Sequence, residues 1–407
     1  MAWTPYPDLP RGRQARPDRR APAQTRSRSV GAAKEDSIRR IARTHPLAVL
    51  ALLALAMLAA AGCVQQNNPQ GWAGPVPTLD GTVLVASTDK GELSALKTDD
   101  FSRVWTFPSG DEKPELKLEA IYGTPVIRGG NVYFGAYDSK VYALSLAEGA
   151  PVWDQPFDTD GPIVAGFAAS ETTLYAASED GKIYALSLAD GAPVWERPFD
   201  AGAAVWGAPL LAGDRLYVAS VNGKLFALDA GSGEPQWDEP FSTGHGLISD
   251  PVLSDGTLLI GGIDRRLHAV DADSGEGRWS FKTDNWFWGR PLVNDGTVYA
   301  PNLDGRLYAL RLKDGGAVWD APFEAEEPLR SAPVLAGDIL VIVDRGGNVY
   351  GLDPAEGSLN WSAAAALEKT VLADPVVLDG KVVVSAEGGD LYTVDPAAGS
   401  FVKVVPE

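Results

Sequence analysis

The chain is poor in the side chains on which most enzyme and metal centres depend. Its 407 residues include one cysteine, Cys63, and three histidines, His45, His245 and His268. A single thiol excludes an intramolecular disulfide, and no spacing of His or Cys matches a zinc site. No histidine after residue 63 lies near an obvious nucleophile, so no Ser-His-Asp arrangement is indicated. We therefore expect neither a catalytic residue nor a metal ligand.

Positive charge is also scarce over most of the chain. Residues 1–45 contain eleven Lys or Arg and four acids, whereas the remaining residues contain 24 Lys or Arg and 50 acids. An acidic body repels phosphate groups and anionic lipid head groups. This charge excludes nucleic acid as a partner and favours basic partners.

The longest uncharged apolar run, residues 47–61, has fifteen residues and is short for a transmembrane helix. Arg39, Arg40 and Arg43 precede it, and small residues followed by Cys63 come after it. This order is typical of an export signal and resembles a bacterial lipoprotein signal. We expect residues 46–63 to direct export, Cys63 to be the lipid attachment site, and the rest to face the periplasm or exterior on the cell membrane or outer membrane. Ala60 stands where leucine is usual, so a signal anchor or a plain secretory peptide is the alternative.

The segment before this signal, residues 1–45, is basic and rich in Arg and Pro. Such a composition provides little that can pack, and we expect the segment to be disordered. Two interpretations stay open: a cytoplasmic tail, or a true start further along, for which Val30 is a candidate initiator. Residues 64–71 are interpreted as a short linker.

Tryptophan recurs at nearly constant spacing in the rest of the chain. Between Trp153 and Trp361 the successive spacings are 42, 42, 42, 40 and 42 residues. The seven recurring positions are Trp105, Trp153, Trp195, Trp237, Trp279, Trp319 and Trp361. A fixed period of this length indicates one supersecondary unit copied in tandem, and aligning on it gives eight units over residues 72–405.

The fourth unit shows the content of one copy most clearly. Its runs Val205–Leu211, Arg215–Ala219, Lys224–Asp229 and Pro235–Phe241 are rich in β-branched and aromatic residues and are separated by Gly, Asp and Asn. Such turns suit tight hairpins. The sequence therefore predicts an all-β fold, an eight-bladed β-propeller of four-stranded antiparallel blades. The sequence does not decide whether the ring closes by packing of the eighth blade on the first or by a strand that both ends share.

The first and last units depart from the pattern, as terminal repeats often do. Phe101 stands where the other units have a turn glycine four residues before the tryptophan, and Lys403 aligns with the tryptophan itself. In the third strand an aromatic column contains His268 in the fifth unit, so we interpret His268 as a packing residue.

The pattern Ala-Leu-Asp, then Gly, then Trp resembles the tryptophan-docking repeat of the pyrroloquinoline quinone (PQQ)-like β-propeller family. Ala227-Leu228-Asp229 with Gly233 and Trp237 shows it best. The resemblance implies that the seven tryptophans are structural and wedge between adjacent blades. It is specific for fold and weak for function.

Two branches of that family imply different functions. Quinoprotein dehydrogenases bind PQQ and calcium, are longer, and many have an adjacent cysteine pair, which is not found here. The other branch contains non-catalytic lipoproteins of the outer-membrane β-barrel assembly machinery, which this chain resembles more in size and lean units. We expect a cofactor-free scaffold, monomeric or part of a hetero-complex, that binds envelope proteins or surface polymers. The alternatives are a PQQ-dependent dehydrogenase and a channel-based sensor of sugars or organic acids.

The candidate ligand site is the central channel, at positions where the repeats disagree. The residue before the inner-strand proline is small in most units, but the exceptions are Asp250, Arg290 and Asp374. They indicate either a polar ligand pocket or an Asp250–Arg290 pair that satisfies itself. Trp286 lies outside the repeat register and is a second candidate, for sugar or peptide binding or for loop packing. Trp288 keeps the register of Trp72, Tyr122 and Trp206, which predicts packing between blades.

Overall fold

The computed structural model describes residues 71–87, 91–108, 118–363, 367 and 369–404. These residues form eight four-stranded antiparallel sheets arranged as an eight-bladed β-propeller, which confirms the predicted fold. Each sheet uses four consecutive strands, paired in chain order. The expected leader, the linker up to Gln70 and Cys63 lie outside the described residues.

The first strand of each blade is the innermost, because first strands of neighbouring blades contact one another around the centre. These strands are β1 (Val76–Pro77), β5 (Val126–Arg128), β9 (Phe167–Ala169), β13 (Leu210–Ala212), β17 (Val252–Ser254), β21 (Leu292–Asn294), β25 (Val334–Ala336) and β29 (Val376–Leu378). The second strands are β2 (Val83–Ser87), β6 (Asn131–Gly135), β10 (Thr173–Ala177), β14 (Arg215–Ala219), β18 (Thr257–Gly261), β22 (Thr297–Pro301), β26 (Ile339–Val343) and β30 (Lys381–Ala386).

The third and fourth strands continue each sheet outward. The third strands are β3 (Leu93–Lys97), β7 (Lys140–Ser145), β11 (Lys182–Ser187), β15 (Lys224–Asp229), β19 (Arg266–Asp271), β23 (Arg306–Arg311), β27 (Val349–Leu352) and β31 (Asp390–Val394). The outer strands are β4 (Arg103–Phe107), β8 (Phe157–Asp158), β12 (Phe199–Asp200), β16 (Phe241–Ser242), β20 (Gly277–Lys282), β24 (Phe323–Glu324), β28 (Leu359–Ala363) and β32 (Phe401–Val404).

In the fourth blade the two middle strands have the predicted bounds, and the two flanking strands are shorter than predicted. The stretch from Val205 to Pro209 crosses from one blade to the next before β13 begins. The predicted outer run bends away from the sheet between Pro235, which makes an isolated bridge to Leu228, and Phe241, so the continuous strand β16 contains only Phe241 and Ser242.

The hydrophobic core is divided among the seams between blades. Eight clusters each combine buried side chains from two neighbouring blades. The cluster at the last seam joins Leu84 and Leu96 of blade 1 to Val383 and Leu391 of blade 8. Since blades 1 and 8 each consist of four consecutive strands, the ring closes by packing, without a shared strand.

Each docking tryptophan joins its own blade to the next. Trp195 of blade 3, for example, donates its indole N–H to the carbonyl of Ala230 in blade 4 at 3.0 Å and covers the turn residue Gly233. Equivalent bonds run from Trp105 to Leu146, Trp153 to Leu188, Trp237 to Ala272, Trp279 to Leu312, Trp319 to Pro354 and Trp361 to Pro396. The indole buries a large apolar area and its N–H is satisfied, as the repeat resemblance implied.

Blade 8 corrects the sequence alignment. In blade 5 a β-bulge places Trp279 opposite Ala269 of the third strand. Blade 8 pairs without a register shift, so Val402 lies opposite the equivalent Thr393, and Lys403 lies opposite Tyr392. Val402, rather than Lys403, therefore occupies the structural position of the tryptophan, because the inserted residue of the bulge is absent.

The missing tryptophan also explains Phe101. In the other blades the tryptophan ring of the preceding blade packs against the α-carbon of the turn glycine. A Cβ added to that glycine would lie within 3 Å of the ring. Blade 8 offers no indole to blade 1. Phe101 takes the same left-handed conformation, with φ of 56°, and packs its ring into the cluster at the closing seam.

Candidate functional site

The central channel is crowded where the inner strands begin. An added Cβ on Gly74 would lie 3.3 Å from the carbonyl oxygen of Asp374 and 3.3 Å from the hydroxyl of Thr124. On Gly166 it would lie 3.3 Å from the Cβ of Ala208. Small residues are therefore needed around most of this ring, and the three charged residues stand out against them.

The two aspartates of the ring perform the same structural task. Asp250 Oδ1 accepts a hydrogen bond of 2.7 Å from the backbone N–H of Ala208 in the preceding blade. Asp374 Oδ1 accepts an equivalent bond of 2.7 Å from the N–H of Ala332. Each carboxylate thus caps an inner-strand donor of its neighbour, which ties adjacent blades together next to the channel.

Arg290 extends from blade 6 towards blade 8. Its Nε lies 3.8 Å from Oδ2 of Asp374, and its side chain is 52% exposed. The sequence left an Asp250–Arg290 pair as one of two interpretations, whereas the ion pair that the structure records for Arg290 is with Asp374, past the intervening Ala332. The partner of Arg290 depends on the angle between blades, which cannot be predicted from the sequence.

Asp250 is the most perturbed carboxyl group of the ring. Burial, followed by repulsion from the charge of Asp374, raises the pKa of Asp250 to about 6. The hydrogen bond from Ala208 and the charge of Arg290 act in the opposite direction. The carboxyl group therefore changes between its charged and neutral forms around pH 6.

A continuous row of aromatic rings and one guanidinium group occupies the channel beside this charged ring. The Arg330 guanidinium carbon lies 4.6 Å from the ring centroid of Trp72 and 4.7 Å from that of Trp288. Trp288 stacks on Trp206 at 6.2 Å, and Trp72 meets Tyr122 edge-on at 4.4 Å. Cation–π contacts of this kind stabilise a buried guanidinium.

The row brings together residues from five blades, the first, second, fourth, sixth and seventh. Trp206 donates its indole N–H to Glu179 at 3.1 Å, and Tyr122 meets Tyr137 at 5.5 Å. Trp288, Trp206, Trp72 and Tyr122 are thus neighbours across the channel as well as equivalents in the repeat. Arg330 occupies the repeat position that holds Trp72, Tyr122, Trp206 and Trp288 in other units. The sequence analysis did not single out Arg330, although a charged residue among aromatic ones was the available signal.

Trp286 lies outside this row. It is half-buried in the crossing segment before β21, and its carbonyl accepts a hydrogen bond of 3.1 Å from the N–H of Leu303. Equivalent crossing positions hold Ala120, Pro162, Ala204, Gly246, Pro328 and Thr370. The structure therefore places one large aromatic side chain in a column that otherwise contains small residues, proline and threonine.

A second recurring contact was not identified from the sequence. The third-strand tyrosine donates its hydroxyl to an aspartate four residues earlier, as Tyr184 does to Asp180 at 2.6 Å. In blade 5 His268 replaces the tyrosine, is 8% exposed, packs on Phe241, and lies 2.8 Å from Asp264. Aspartate four residues before the aromatic was the available signal.

Two further observations concern the part of the chain that the structure describes. No three His, Cys, Asp or Glu side chains there converge as a metal-binding group. No helix in the same ranges has the length and apolar character required to cross a bilayer.

Comparison with known proteins begins with the family model described as outer membrane protein assembly factor BamB. It matches four overlapping stretches of this chain, residues 62–163, 138–240, 222–366 and 303–402. Together these stretches cover most of the chain and almost all of the propeller.

Individual relatives are distant. Outer membrane protein assembly factor BamB of Salmonella typhimurium strain LT2 is 28% identical over 79 residues, 19% of this chain and 20% of the relative. The Escherichia coli K12 protein of the same name is 29% identical over 79 residues, with the same coverage. The aligned stretch thus spans about a fifth of the length of these curated relatives.

Solved structures share the fold at low sequence identity. BamB from Moraxella catarrhalis superposes with a TM-score of 0.65 at 18% identity, over 78% of this chain and 92% of that one. The computationally designed Ika8 protein gives 0.68 at 14% identity, over 80% and 96%. Both likenesses establish the fold alone.

Proposed function

The chain belongs to the family of outer membrane protein assembly factor BamB, and from this premise we propose that it is a non-catalytic, protein-binding scaffold of the cell envelope. We further propose that it is exported, anchored by lipid at Cys63, and free of cofactors. It acts as a monomer or within a hetero-complex, and envelope proteins are its partners. Surface polymers are a second class of partner.

The observation that carries the proposal is that side chains at the channel contact one another across it. The row from Tyr122 through Trp72, Arg330 and Trp288 to Trp206 consists of the chain's own side chains in mutual contact. Beside it, Asp250 and Asp374 hold backbone N–H groups of neighbouring blades. Since these groups serve to join blades, the loops and outer edges of the blades are left as binding surface.

A PQQ-dependent oxidoreductase is the runner-up. PQQ is a flat ring system that would suit a slot between two indoles, but the guanidinium group of Arg330 lies between Trp72 and Trp288. These residues do not fit the cofactor unless Arg330 leaves its place. The third candidate, a channel-based sensor, would bind a sugar or organic acid beside Arg290, whose side chain is half exposed.

The test is proximity crosslinking in the native cell with the tagged full chain, followed by membrane fractionation and mass spectrometry. We expect the same few envelope proteins to be recovered repeatedly and to be absent from an untagged control. Dye-linked oxidation of alcohols or sugars by purified protein with added PQQ and calcium would instead establish the enzyme. Thermal stabilisation by sugars or organic acids, without crosslinked partners, would favour the sensor.

A further inference from the structure

One face of the propeller, where turns join the second strands to the third strands, carries a repeated set of charged side chains. The segments that cross between blades run over the same face, since Leu303 in such a turn donates its N–H to the carbonyl of Trp286 in a crossing segment at 3.1 Å. In blades 2 to 6 the third strand begins with a base: Lys140, Lys182, Lys224, Arg266 and Arg306. These positions are equivalent, so their surroundings can be compared blade by blade.

In blades 2, 3 and 6 an acid lies beside this base. The acid stands at one of two positions, opposite the base in the outer strand or in the crossing segment that enters the blade. The pairs are Lys140–Asp158, Lys182–Asp160, Arg306–Asp284 and Arg306–Glu324. The positive charge at the start of the third strand is therefore neutralised in these three blades.

Blades 4 and 5 lack an acid at both positions. Ser242 lies opposite Lys224, and Lys282 lies opposite Arg266. In the entering crossing segments the corresponding residues are Gly202 and Gly244. Over the described part of the chain, none of the three bases forms an ion pair.

Blade 5 keeps its bases together at a cost in stability. Arg266 and Lys282 are direct partners in the ladder, where like charges destabilise a sheet, and Arg266 donates a hydrogen bond of 2.9 Å to the hydroxyl of Ser280. Arg265, just before them, adds another base with φ of 66°, at a turn position that holds glycine in blades 3, 4 and 6. This left-handed conformation is unfavourable for a residue with a Cβ. Features that cost stability in this way are typical of functional sites.

The bases of blades 4 and 5 are neighbours on the face. A Cβ added to Gly223, the residue before Lys224, would lie 2.4 Å from the carbonyl oxygen of His245 in the segment that enters blade 5. The next crossing segment starts with a backbone bond of 2.9 Å to the carbonyl of Arg265 and continues to Trp286. These contacts connect four bases into one group beside Trp286, here called the basic strip: Lys224, Arg265, Arg266 and Lys282.

Trp286 adds an apolar surface at the end of the basic strip. Its side chain is half-buried, and its indole N–H donates to no acceptor within the ranges that the structure describes. An indole presents a flat apolar ring together with one hydrogen-bond donor. Beside exposed cations, this combination suits an apolar or aromatic side chain that is flanked by carboxylates.

We infer that the basic strip and Trp286 bind an acidic segment of a partner protein. Carboxylates of the segment contact the four bases, and an apolar or aromatic side chain packs on the indole, in the manner of acidic motifs bound by basic clusters. The inference rests on the proposed scaffold function and names the place and the kind of segment through which that function is carried out.

Charge decides among the anionic occupants of this site. The chain after residue 45 carries 50 acids and 24 bases, so as a whole it favours basic partners, and the basic strip is an exception. An extended anionic membrane would also meet the largely exposed acids of neighbouring blades on this face, Asp158, Asp160 and Glu324. A second copy would bring two acidic bodies together. A short acidic segment of a different protein meets the basic strip alone.

The experiment measures anisotropy of a fluorescent peptide of about ten residues, with glutamate and aspartate around a central leucine, on binding to the full chain in detergent at low salt. The double variant Lys224→Gln, Arg266→Gln is compared with Lys140→Gln, Lys182→Gln, which removes the same charge from equivalent positions in blades 2 and 3. We expect Kd to rise about fivefold in the first and less than about twofold in the second. Circular dichroism checks the fold of both.

A further variant separates binding from folding. Lys282→Glu places an acid opposite Arg266, as Glu324 lies opposite Arg306 in blade 6. We expect this variant to unfold at higher urea concentration than the parent and to bind the peptide about tenfold more weakly. A more stable variant cannot lose binding because it fails to fold.

The contribution of Trp286 is measured by a double-mutant cycle. Trp286→Ala should weaken the leucine peptide about fivefold and change the affinity for the same peptide with a central alanine less than about twofold. Equal effects on the two peptides would show that the indole does not contact the central side chain, which contradicts the inferred site.

Several outcomes overturn the inference. No binding of the acidic peptide at low salt does so, and so does an equal loss of affinity in the two double variants. Displacement of the peptide by phosphatidylglycerol added to the micelles would make the occupant a lipid surface. Self-association of the parent that the Lys224→Gln, Arg266→Gln chain lacks would make it a second copy.

Failure here is distinguishable from failure of the proposed function. If the Lys224→Gln, Arg266→Gln and Lys282→Glu chains crosslink the same envelope proteins in cells as the parent does, the inferred site is wrong and the scaffold function stands. If the parent crosslinks none, the scaffold function itself is wrong.

Discussion

Single residues at the start of the inner strands determine how the blades meet around the channel. Asp250 and Asp374 each accept an N–H bond from the preceding blade, and Asp374 also faces Arg290. Burial of Asp250 and, after it, repulsion from the charge of Asp374 raise the pKa of Asp250 to about 6. This makes the ring a source of pH dependence.

The first prediction concerns the pH dependence of stability. Because the pKa of Asp250 is higher in the folded protein than its ordinary value of about 3.9, the folded state binds the extra proton between about pH 4 and 6. Stability from this group is therefore lost as the pH rises through 6. Asp250→Asn keeps the acceptor for Ala208 and removes the charge. We expect it to gain on the order of 1–2 kcal/mol relative to the parent at pH 7, and little at pH 4.

The measurement is urea unfolding of both proteins at pH 4, 5, 6 and 7. Asp374→Asn is the matched variant, since it removes the neighbouring charge and should shift the dependence of the parent to lower pH. A difference between parent and Asp250→Asn that stays constant over this range would contradict the prediction.

The sequence was sufficient to select the charged residues of the channel ring, but it was not sufficient to predict their partners. Asp250, Arg290 and Asp374 could be singled out because they break a column of small residues. Their partners could not, since an N–H bond to Ala208 and an ion pair past Ala332 depend on the angle between blades. The tyrosine–aspartate contact is local, with its partners four positions apart in the chain, and its pattern was present in the sequence.

At the scale of strands and turns, neighbouring blades are joined by the contact between a docking tryptophan and the glycine turn of the next blade. The turn glycine is needed for two reasons, its left-handed backbone and the indole against its α-carbon. For Gly233, φ is +78° and an added Cβ would lie 2.8 Å from the Trp195 ring. For Gly213, φ is +64° and nothing lies within 4 Å.

The second prediction separates these two reasons. Gly213→Ala should cost about 1–2 kcal/mol, the ordinary penalty of the left-handed conformation. Gly233→Ala should cost roughly 2 kcal/mol more, because the indole must also move and its packing is disturbed. Urea midpoints give the costs and tryptophan fluorescence reports the displaced ring. Equal costs for the two variants would mean that the indole contact does not require glycine.

The elements could be predicted from the sequence where local patterns decide them. The middle strands of the fourth blade have the predicted bounds because alternation and turn residues specify them. The outer strand of the fourth blade was predicted too long. The place of Val402 was also missed, because the absence of a bulge shifts the alignment by one residue, from Lys403 to Val402.

For the whole molecule, the period of the tryptophans was sufficient to predict eight blades, and the structure and the family match agree. Ring closure could not be predicted, since both a shared strand and simple packing are compatible with eight similar units. Membrane attachment remains a prediction from the residues around Cys63.

The third prediction tests that attachment. Lipid chains on Cys63 would hold the protein on a membrane, since each buried CH₂ contributes about 0.8 kcal/mol. Replacement of Cys63 by Ser should therefore move the mature protein to the soluble fraction after cell lysis. Ala60→Leu, which supplies the usual residue of the signal, should leave it on the membrane. Retention of the serine variant by the membrane would show an uncleaved anchor instead.

The closing seam also has a consequence for the order of folding. Every other seam joins blades that follow one another in the chain, where successive docking tryptophans are 40 to 48 positions apart, whereas Leu84 and Val383 in the closing cluster are about 300 positions apart. Loop closure over the longer span costs about 2 kcal/mol more in chain entropy. The face of blade 1 at this seam therefore stays uncovered until the last blade has formed, so we expect ring closure to be the last step of folding.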